Sequence, residues 1–512
     1  MSRPRDRRGR RPGARLGWAL AGFLLAGCAG GAGGDGAKLA AWSPSWLPGT
    51  GGGAPVLSRL KPGPYEASSL AVGEEKDLAQ HRGDALGFVR SAALEQYLNE
   101  TRRGLVAVSG RTGVPGRVVI LANPGFEAFS SPDGNIYVAM GLLESLESAD
   151  EVAAVLAHEL SHVLLAHHSS DLLGDVQRKG QALYELGVGA KTALAGQRTV
   201  SKGDQRNMTN VQLATDATDR LVLPAWSRGQ EREADLLGVD LLVESQASGT
   251  AMLGMLEKLQ AWEQANKESD AAFTARLQQA SQKNVNDAVG VVYQKLLDTV
   301  SVNHPKTSER IEDTAQYFDK FYGSRPPKEP QTASWKAVRA RPEVAQVLAN
   351  YKRAFQARRL LDDGKVQEAY ATARASVAGR TAADAYPNWV LAHSAAALGR
   401  QTEAIDALRR AVTSSEPVPL VYEDLIFAYE RVNNIPVALQ WTDQATKVFA
   451  GAARFKPHKI RLLRKAGRTA EAQTLTVDCA LNGTTELKRS CEAANQTPAG
   501  RAPAPGPRPA PR

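Results

Sequence analysis

Cysteine is scarce in this chain, and long hydrophobic runs are absent from it. Three cysteines among 512 residues allow at most one disulfide bond within the chain. No stretch has 18 consecutive apolar residues, so the sequence predicts no transmembrane helix. The formal charge is +9, but seven arginines and Asp6 between Met1 and Arg15 account for +6 of it. Only +3 remains elsewhere, so we predict no nucleic-acid partner.

The N-terminal residues predict a signal peptide. The arginine-rich start is followed by an apolar stretch, Leu16–Leu25, and then by Leu25-Ala26-Gly27-Cys28. This pattern resembles a bacterial lipoprotein signal, which implies cleavage before Cys28 and acylation of that cysteine; a membrane anchor of another type is the alternative. Ala29 favours sorting to the outer membrane. We therefore expect an envelope protein that faces the periplasm and contacts the membrane through its lipid alone.

The pentad His158-Glu159-Leu160-Ser161-His162 carries the strongest chemical signal. On a helix the two histidines lie one turn apart on the same face, so both can reach one metal ion, and Glu159 can hold a water molecule beside it. Apolar residues at helical spacing around the pentad predict that the helix is buried. The alternative is a pair of core histidines bonded to backbone carbonyls, which would leave polar groups unsatisfied at about 1–3 kcal/mol each.

A second motif, Ser227–Gly238, predicts another helix and offers a third metal ligand. Glu231, Asp235 and Gly238 share one face of this helix. Glu231 can bind zinc, Asp235 can accept the free N–H of a ligand histidine, and Gly238 allows close approach of two helices. Glu233 is expected on the solvated side. The alternative is an ordinary charged surface helix.

Together the motifs HELSH and SRxxExEADxxG resemble metallopeptidase family 48, the zinc endopeptidases that include HtpX-like and CAAX-prenyl-protease-like enzymes. The segments 129–138 and 304–311 extend this likeness, which covers about residues 65–320. The resemblance implies a mainly helical, gluzincin-type α+β peptidase domain with one Zn²⁺ per chain, and it points to the soluble periplasmic branch with C-terminal tetratricopeptide repeats. The ligands it implies are His158, His162 and Glu231, with Glu159 as general base and Asp235 supporting a ligand histidine.

Such a site hydrolyses peptide bonds. Zinc lowers the pKa of a water molecule to about 7 and polarises the scissile carbonyl, while Glu159 accepts the proton and delivers it to the leaving amine. The developing oxyanion needs a donor, for which His304 and Arg228 are the candidates. His304 has two alternative roles: it can occupy the open zinc position in a resting enzyme, or it can brace the turn before Pro305.

Two β-rich runs upstream, Arg117–Leu121 and Asn135–Ala139, are separated by turn-forming segments. They predict a small antiparallel sheet. Residues 127–131 are the candidate edge strand that binds substrate main chain by β-augmentation. The alternative is a sheet that serves only as scaffold.

The C-terminal third contains a repeat. Gly364, Gly399, Asn433 and Gly467 recur at an interval of about 34 residues. An alanine follows each of them five positions later. The pattern resembles the tetratricopeptide repeat, in which such residues turn the chain between two helices. We expect about four repeats in an all-α domain whose concave surface binds a protein partner, with a structural cap as the alternative.

These observations divide the chain into five regions. They are a signal peptide at 1–27, a lipid-anchored tether rich in Gly, Ala and Pro at 28–64, the zinc peptidase domain at 65–325, the repeats at 340–495, and a disordered tail at 497–512.

Cys479 and Cys491 remain once Cys28 is acylated. An oxidising compartment would allow them to form a disulfide that ties a last helix to the repeats. The alternative is that Cys479, which falls in a column of small residues, is a buried free thiol.

Two functions are compatible with these motifs. The first is a zinc endopeptidase of the envelope that cleaves unfolded or misassembled envelope proteins, with repeats that recruit substrate or partner. The second is a chaperone or scaffold that acts through the repeats, with the zinc site mainly structural. The presence of Glu159 favours the enzyme, because a structural site needs no base and is usually closed by a fourth ligand.

Overall fold

The computed structural model describes residues 53–84, 86–169, 228–266, 307–326, 328–449 and 453–498. Its N-terminal part combines helices with short strands. The strands are β1 (Gly63–Pro64), β2 (Arg111–Thr112), β3 (Val118–Leu121), β4 (Ala128–Ser130) and β5 (Ile136–Ala139). The helices are α1 (Glu74–Asp84), α2 (Ala92–Val108), α3 (Met140–Ser145), α4 (Ala149–Leu164), α5 (Arg228–Glu244), α6 (Ala251–Asn266) and α7 (Thr307–Tyr322).

The C-terminal part is described as helical throughout. Its helices are α8 (Ala333–Ala340), α9 (Pro342–Asp362), α10 (Val366–Ser376), α11 (Ala385–Ala397), α12 (Gln401–Ala411), α13 (Pro419–Arg431), α14 (Ile435–Val448), α15 (Lys456–Lys465), α16 (Thr469–Asn482) and α17 (Thr485–Asn495). Short 3₁₀ turns complete the set at Val56–Arg59, His167–Ser169, Gly379–Thr381 and Ala453–Phe455.

The larger sheet is mixed, so the prediction of a small antiparallel sheet was wrong for one of its two strand pairings. The strand order is β3-β5-β4, and β3 and β5 run parallel, with Val118 opposite Ile136. The reason is that β4 lies between β3 and β5 in the chain and forms the antiparallel hairpin with β5, so β3 and β5 run in the same direction. The predicted edge segment, residues 127–131, contains β4, which lies at the edge of this described sheet.

Helix α4 is the centre of the peptidase part. Ser148 caps it by accepting a hydrogen bond from the Glu151 amide at 3.1 Å, and the Glu151 carboxylate in turn accepts one from the Glu147 amide at 2.7 Å. From Val152 to Leu164 every residue is buried. The helix packs against α2, α5, α6 and β4, so both polar and apolar side chains on it are removed from water.

Helix α1 is fastened to the β4–β5 hairpin by one buried carboxylate. Asp77 Oδ2 accepts hydrogen bonds from Ser131 at 2.8 Å, Asn135 at 2.7 Å and Tyr137 at 2.6 Å. Burial opposes ionisation of this group, but hydrogen bonds from His81, Tyr137 and Asn135 outweigh it and lower the pKa of Asp77 to about 2. The ionised carboxylate therefore holds the hairpin against α1.

The C-terminal helices form successive antiparallel pairs: α9 with α10, α11 with α12, α13 with α14, and α15 with α16. The turn of each pair contains one residue with positive φ: Gly364 (76°), Gly399 (76°), Asn433 (58°) and Gly467 (76°). Three are glycines and the fourth is an asparagine, the residue types that adopt this conformation at least cost. The alanine that follows each of them by five positions is buried, at 0–1% exposure.

The two parts are in direct contact. The Trp335 indole of α8 donates a hydrogen bond at 2.8 Å to the carbonyl of Leu146, two positions before the cap of α4. Glu416, in the turn before α13, accepts from Arg82 of α1 at 2.6 Å and from Arg90 at 3.5 Å. The helical pairs are thus attached to the elements that surround α4.

No helix among the described residues is long and apolar enough to cross a membrane. Cys28 with its signal peptide, and residues 499–512 of the tail, lie outside the described residues.

We predict that Asp77→Asn destabilises the protein in a pH-dependent way. The pKa of Asp77 in the folded state, about 2, is below the ordinary value of 3.8. Its contribution of about 2 kcal/mol is therefore complete above pH 4 and lost as the pH falls to 2. Urea unfolding with a chelator present should show the largest difference between wild type and Asp77→Asn above pH 4. Asp406→Asn, at an exposed position, is the control; a difference for Asp77→Asn that stays constant down to pH 2 would contradict the assignment.

A disulfide bond joins Cys479 of α16 to Cys491 of α17 in the structure, with Cα atoms 6.4 Å apart and both residues fully buried. We predict that neither cysteine reacts with an alkylating reagent when the full chain is denatured without reductant, and that both react after reduction. Peptide mapping by mass spectrometry separates them from Cys28. Closing a loop this short stabilises by about 3 kcal/mol, so reduction should lower the free energy of unfolding by that order. Alkylation of both residues without reductant would exclude the bond.

Candidate metal centre

Helices α4 and α5 bring three metal-ligating side chains together. His158 and His162 come from one face of α4, and Glu231 comes from the first turn of α5. Their exposed fractions are 8%, 0% and 4%. The Nε2 atoms of the two histidines lie 3.2 Å apart, and the Glu231 carboxylate oxygens lie 3.7 Å from His158 Nε2 and 3.6 Å from His162 Nε2.

These separations fit a tetrahedral zinc ion. Ligands about 2.1 Å from zinc are about 3.4 Å from one another. The three separations lie between 3.2 and 3.7 Å, and the two that involve Glu231 end on different oxygens of its carboxylate. Two imidazole nitrogens and one carboxylate form a donor set typical of hydrolytic zinc sites. Among the described residues this group supplies three protein ligands, as in a site that keeps one position for water.

His158 is oriented by a carboxylate on the neighbouring helix. Its Nδ1 lies 2.9 Å from Asp235 Oδ1, so this side of the ring faces the carboxylate and Nε2 remains available to the metal. Burial would lower the pKa of His158, but its hydrogen bond to Asp235 and the nearby carboxylates raise it. The structure thus places Asp235 beside His158, and its support of a ligand histidine stays a prediction.

Arg310 lies in the segment 304–311, where the sequence predicted no role for it, and the structure places it at the site. Its Nε and one terminal nitrogen each donate to Asp235 at 2.7 Å, and its other terminal nitrogen lies 3.0 Å from Glu231 Oε2. Burial disfavours charge on Asp235, yet Arg310 keeps the pKa of this carboxyl below its ordinary value. One guanidinium thus neutralises the metal ligand and the residue that orients its neighbour.

Glu159 lies beside the ligands and is 6% exposed. Burial, reinforced by the negative charge of Glu231, raises the pKa of Glu159 to about 7, although His158 acts in the opposite direction. Its Oε2 atom has no hydrogen-bond partner in the part of the chain that the structure describes. A carboxylate with one unengaged buried oxygen and a raised pKa is suited to accept and return a proton.

Gly238 lies where α5 crosses α4. A Cβ atom at this position would collide with the Met252 side chain and approach the His158 backbone nitrogen to 3.5 Å. The contact with α4 is an ordinary van der Waals distance, so a small side chain at this position would displace only the end of the Met252 side chain.

A further histidine pair follows α4. His167 Nδ1 lies 2.9 Å from His162 Nδ1, and its Nε2 lies 3.6 Å from Glu233 Oε2. His168 Nε2 lies 3.4 Å from Ser130 Oγ. The expectation that Glu233 is solvated was wrong, because its side chain is only 21% exposed and turns toward His167. The sequence signal for this pair was two adjacent histidines shortly after the HExxH motif.

The other predicted residues are not placed at the site. His304 lies outside the described residues, and so does the side chain of Arg228, whose backbone begins α5. Their roles as oxyanion donors remain predictions.

An HExxH helix crossed by a second helix that supplies a glutamate defines a metallopeptidase domain of the gluzincin type. Comparison with known families agrees: residues 92–317 match peptidase family M48. The chain therefore contains a domain of peptidase family M48, whose members are zinc-dependent metalloproteases.

Several curated proteins are similar to this part of the chain. The beta-barrel assembly-enhancing protease of Escherichia coli K12 is 26% identical over 202 residues, which are 38% of this chain and 40% of that protein. Metalloprotease LoiP of the same organism is 27% identical over 207 residues, 40% of this chain and 75% of LoiP. The mitochondrial metalloendopeptidase OMA1 of Schizosaccharomyces pombe is 27% identical over 167 residues, 33% of this chain and 44% of OMA1. The match thus spans less than half the length of the first relative.

We predict that Arg310→Met both destabilises the fold and weakens metal binding. The change leaves the buried carboxylates of Asp235 and Glu231 without their cation, which should cost about 3–5 kcal/mol. The control is Arg232→Met, which removes an ion pair with Asp313 between the same two helices, α5 and α7, but at a partly exposed position. It should cost about 1 kcal/mol or less.

The measurements are urea unfolding and competition for zinc with a chelator. Equal losses in the Arg310 and Arg232 variants would show that Arg310 acts only as a surface ion pair between the helices.

Proposed function

We propose that the chain is a zinc-dependent endopeptidase, lipid-anchored at the periplasmic face of the bacterial outer membrane, which cleaves unfolded or misassembled envelope proteins. The observation that carries the proposal is the convergence of His158, His162 and Glu231 around one point, with the buried Glu159 beside them. A mainly structural zinc site needs no base and is usually closed by a fourth protein ligand. The geometry therefore favours the enzyme over the scaffold.

Bound zinc would activate a water molecule and polarise the scissile carbonyl. Glu159 accepts a proton from the attacking water as the water oxygen bonds to the carbonyl carbon. The same carboxyl then delivers that proton to the amide nitrogen as the carbon–nitrogen bond breaks, and a free amine and a carboxylate leave. Asp235 and Arg310 hold His158 and Glu231 in place throughout.

Strand β4 is the proposed binding edge for substrate main chain. It lies at the edge of the described sheet and packs against α4, the helix that carries the histidines and Glu159. A strand added to this edge would be held by backbone hydrogen bonds, which tolerate many side-chain sequences. Such tolerance suits an enzyme that recognises unfolded chains.

The helical pairs from α9 to α16 are proposed to form tetratricopeptide-like repeats that recruit substrate or a partner protein. Their regular turns and buried small residues support this reading, and their contacts with the peptidase part would keep a bound protein near the site. The envelope location rests on the lipobox at Cys28, and several similar proteins are named for β-barrel assembly.

We predict that Glu159→Gln abolishes hydrolysis of casein while zinc content stays near one per chain. Glutamine occupies the same volume but cannot take up the proton, so the rate should fall by about 10³. The matched control is Glu151→Gln on the same helix, where the carboxylate only bonds the Glu147 amide and Lys258; its rate should stay within twofold of wild type.

Casein cleavage and bound zinc are measured on the same full-length preparations, with and without a chelator and after zinc is restored. If Glu159→Gln still hydrolyses casein, this result contradicts the proposed role of Glu159. If the wild-type protein still cleaves casein after complete chelation, the metal has no part in the proposed chemistry.

A further inference from the structure

The two ligand histidines are supported differently in the structure. His158 presents its Nδ1 directly to a carboxylate, Asp235. His162, which is 0% exposed, presents its Nδ1 to another imidazole, that of His167, at 2.9 Å. The rings meet edge to face, with centroids 5.0 Å apart. His167 has no role in the proposed hydrolysis.

The backbone is shaped to place His167 there. Helix α4 ends at Leu164, and Ala166 adopts a positive φ of 54°, which is uncommon for a residue with a side chain. The chain turns back at this point, so His167 is buried over the ligand helix at 5% exposure. Its carbonyl accepts a hydrogen bond from Gln230 Nε2 of α5 at 3.2 Å. The position of His167 is thus set from both helices of the metal centre.

The positions of the protons follow from metal binding. His162 faces the other ligands with Nε2, so in the metal-bound state Nε2 carries no proton and Nδ1 carries one. Only one proton fits between two nitrogens 2.9 Å apart. His167 Nδ1 must therefore be the acceptor, and the proton of the neutral His167 ring is on Nε2. That N–H lies 3.6 Å from Glu233 Oε2, within electrostatic reach although too far for a direct hydrogen bond.

We propose that His167 is a positioning residue for the zinc ligand His162, and that Glu233 supports it by favouring the His167 tautomer with its proton on Nε2. The two successive contacts from Glu233 to His167 and from His167 to His162 would do for His162 what the single contact with Asp235 does for His158. Residues that orient metal-bound histidines in this way commonly change metal affinity by about 10- to 100-fold. The proposal rests on the zinc site of the proposed function and not on hydrolysis.

The test is chelator competition for zinc on full-length variants. His167→Phe removes the acceptor and should weaken zinc binding by about 10- to 100-fold. His167→Asn sets a carbonyl oxygen near the place of Nδ1 and should recover most of the affinity. His168→Asn is the matched control: this neighbouring histidine is also buried, but it contacts Ser130, and its change should leave the affinity within twofold.

Glu233 provides a second series on a partly exposed position, where substitution does not endanger folding. Glu233→Ala should weaken zinc binding severalfold, and Glu233→Gln, whose amide oxygen still faces the His167 N–H, should lie closer to wild type. Zinc affinity within twofold of wild type in both His167→Phe and Glu233→Ala would overturn the proposal. Equal losses in His167→Phe, His167→Asn and His168→Asn would also overturn it, because they would show a packing effect.

Cobalt in place of zinc gives a readout that packing alone does not move. The Nδ1 protons of both ligand histidines should appear as shifted, exchangeable signals in the proton NMR spectrum. In His167→Phe the His162 signal should disappear by exchange with water while that of His158 remains; Asp235→Asn identifies the latter. Two persisting signals would contradict the proposal. If the variants behave as expected but wild type does not cleave casein, the proposed hydrolysis fails while this inference stands.

Discussion

The metal centre depends on keeping several charged groups together away from water. Glu231, Asp235 and Glu159 are all buried, and burial without compensation disfavours the charged form of a carboxylate. Arg310 supplies one compensating charge through its hydrogen bonds to Asp235 and its contact with Glu231. The candidate metal centre therefore draws its side chains from α4, α5 and α7, three helices from distant parts of the sequence.

This constraint also explains the division of labour among acidic residues of similar chemistry. Glu231 faces the histidine nitrogens and Arg310, Asp235 lies beside one histidine and Arg310, and one oxygen of Glu159 has no hydrogen-bond partner among the described residues. Their environments, and not their identities, suit the first to the proposed role of ligand, the second to that of support and the third to that of base. The same reasoning separates Glu233 from Glu231, since the former turns toward His167 at the rim of the site.

The local patterns were reliable where periodicity and backbone chemistry decide the outcome. The helical spacing of His158 and His162, the cap at Ser148, the close approach at Gly238 and the positive φ at Gly364 all follow from short-range rules, and the structure contains each of them. The direction of strand pairing did not follow from such rules. The sequence predicted an antiparallel sheet, whereas β4 lies between β3 and β5 in the chain and leaves those two strands parallel.

The sequence by itself determined the ligand types, their helical spacing and the small residues at the turns, because these depend on residues within a few positions of one another. Only the tertiary structure decided which acidic side chain faces the metal, which cation neutralises it, and that His167 returns over His162. Such contacts can join residues far apart in the chain, as Arg310 and Asp235 are at a separation of 75 positions, and no local pattern specifies their geometry. Burial also contributes, because the low dielectric of a buried site strengthens each contact between charges and each hydrogen bond.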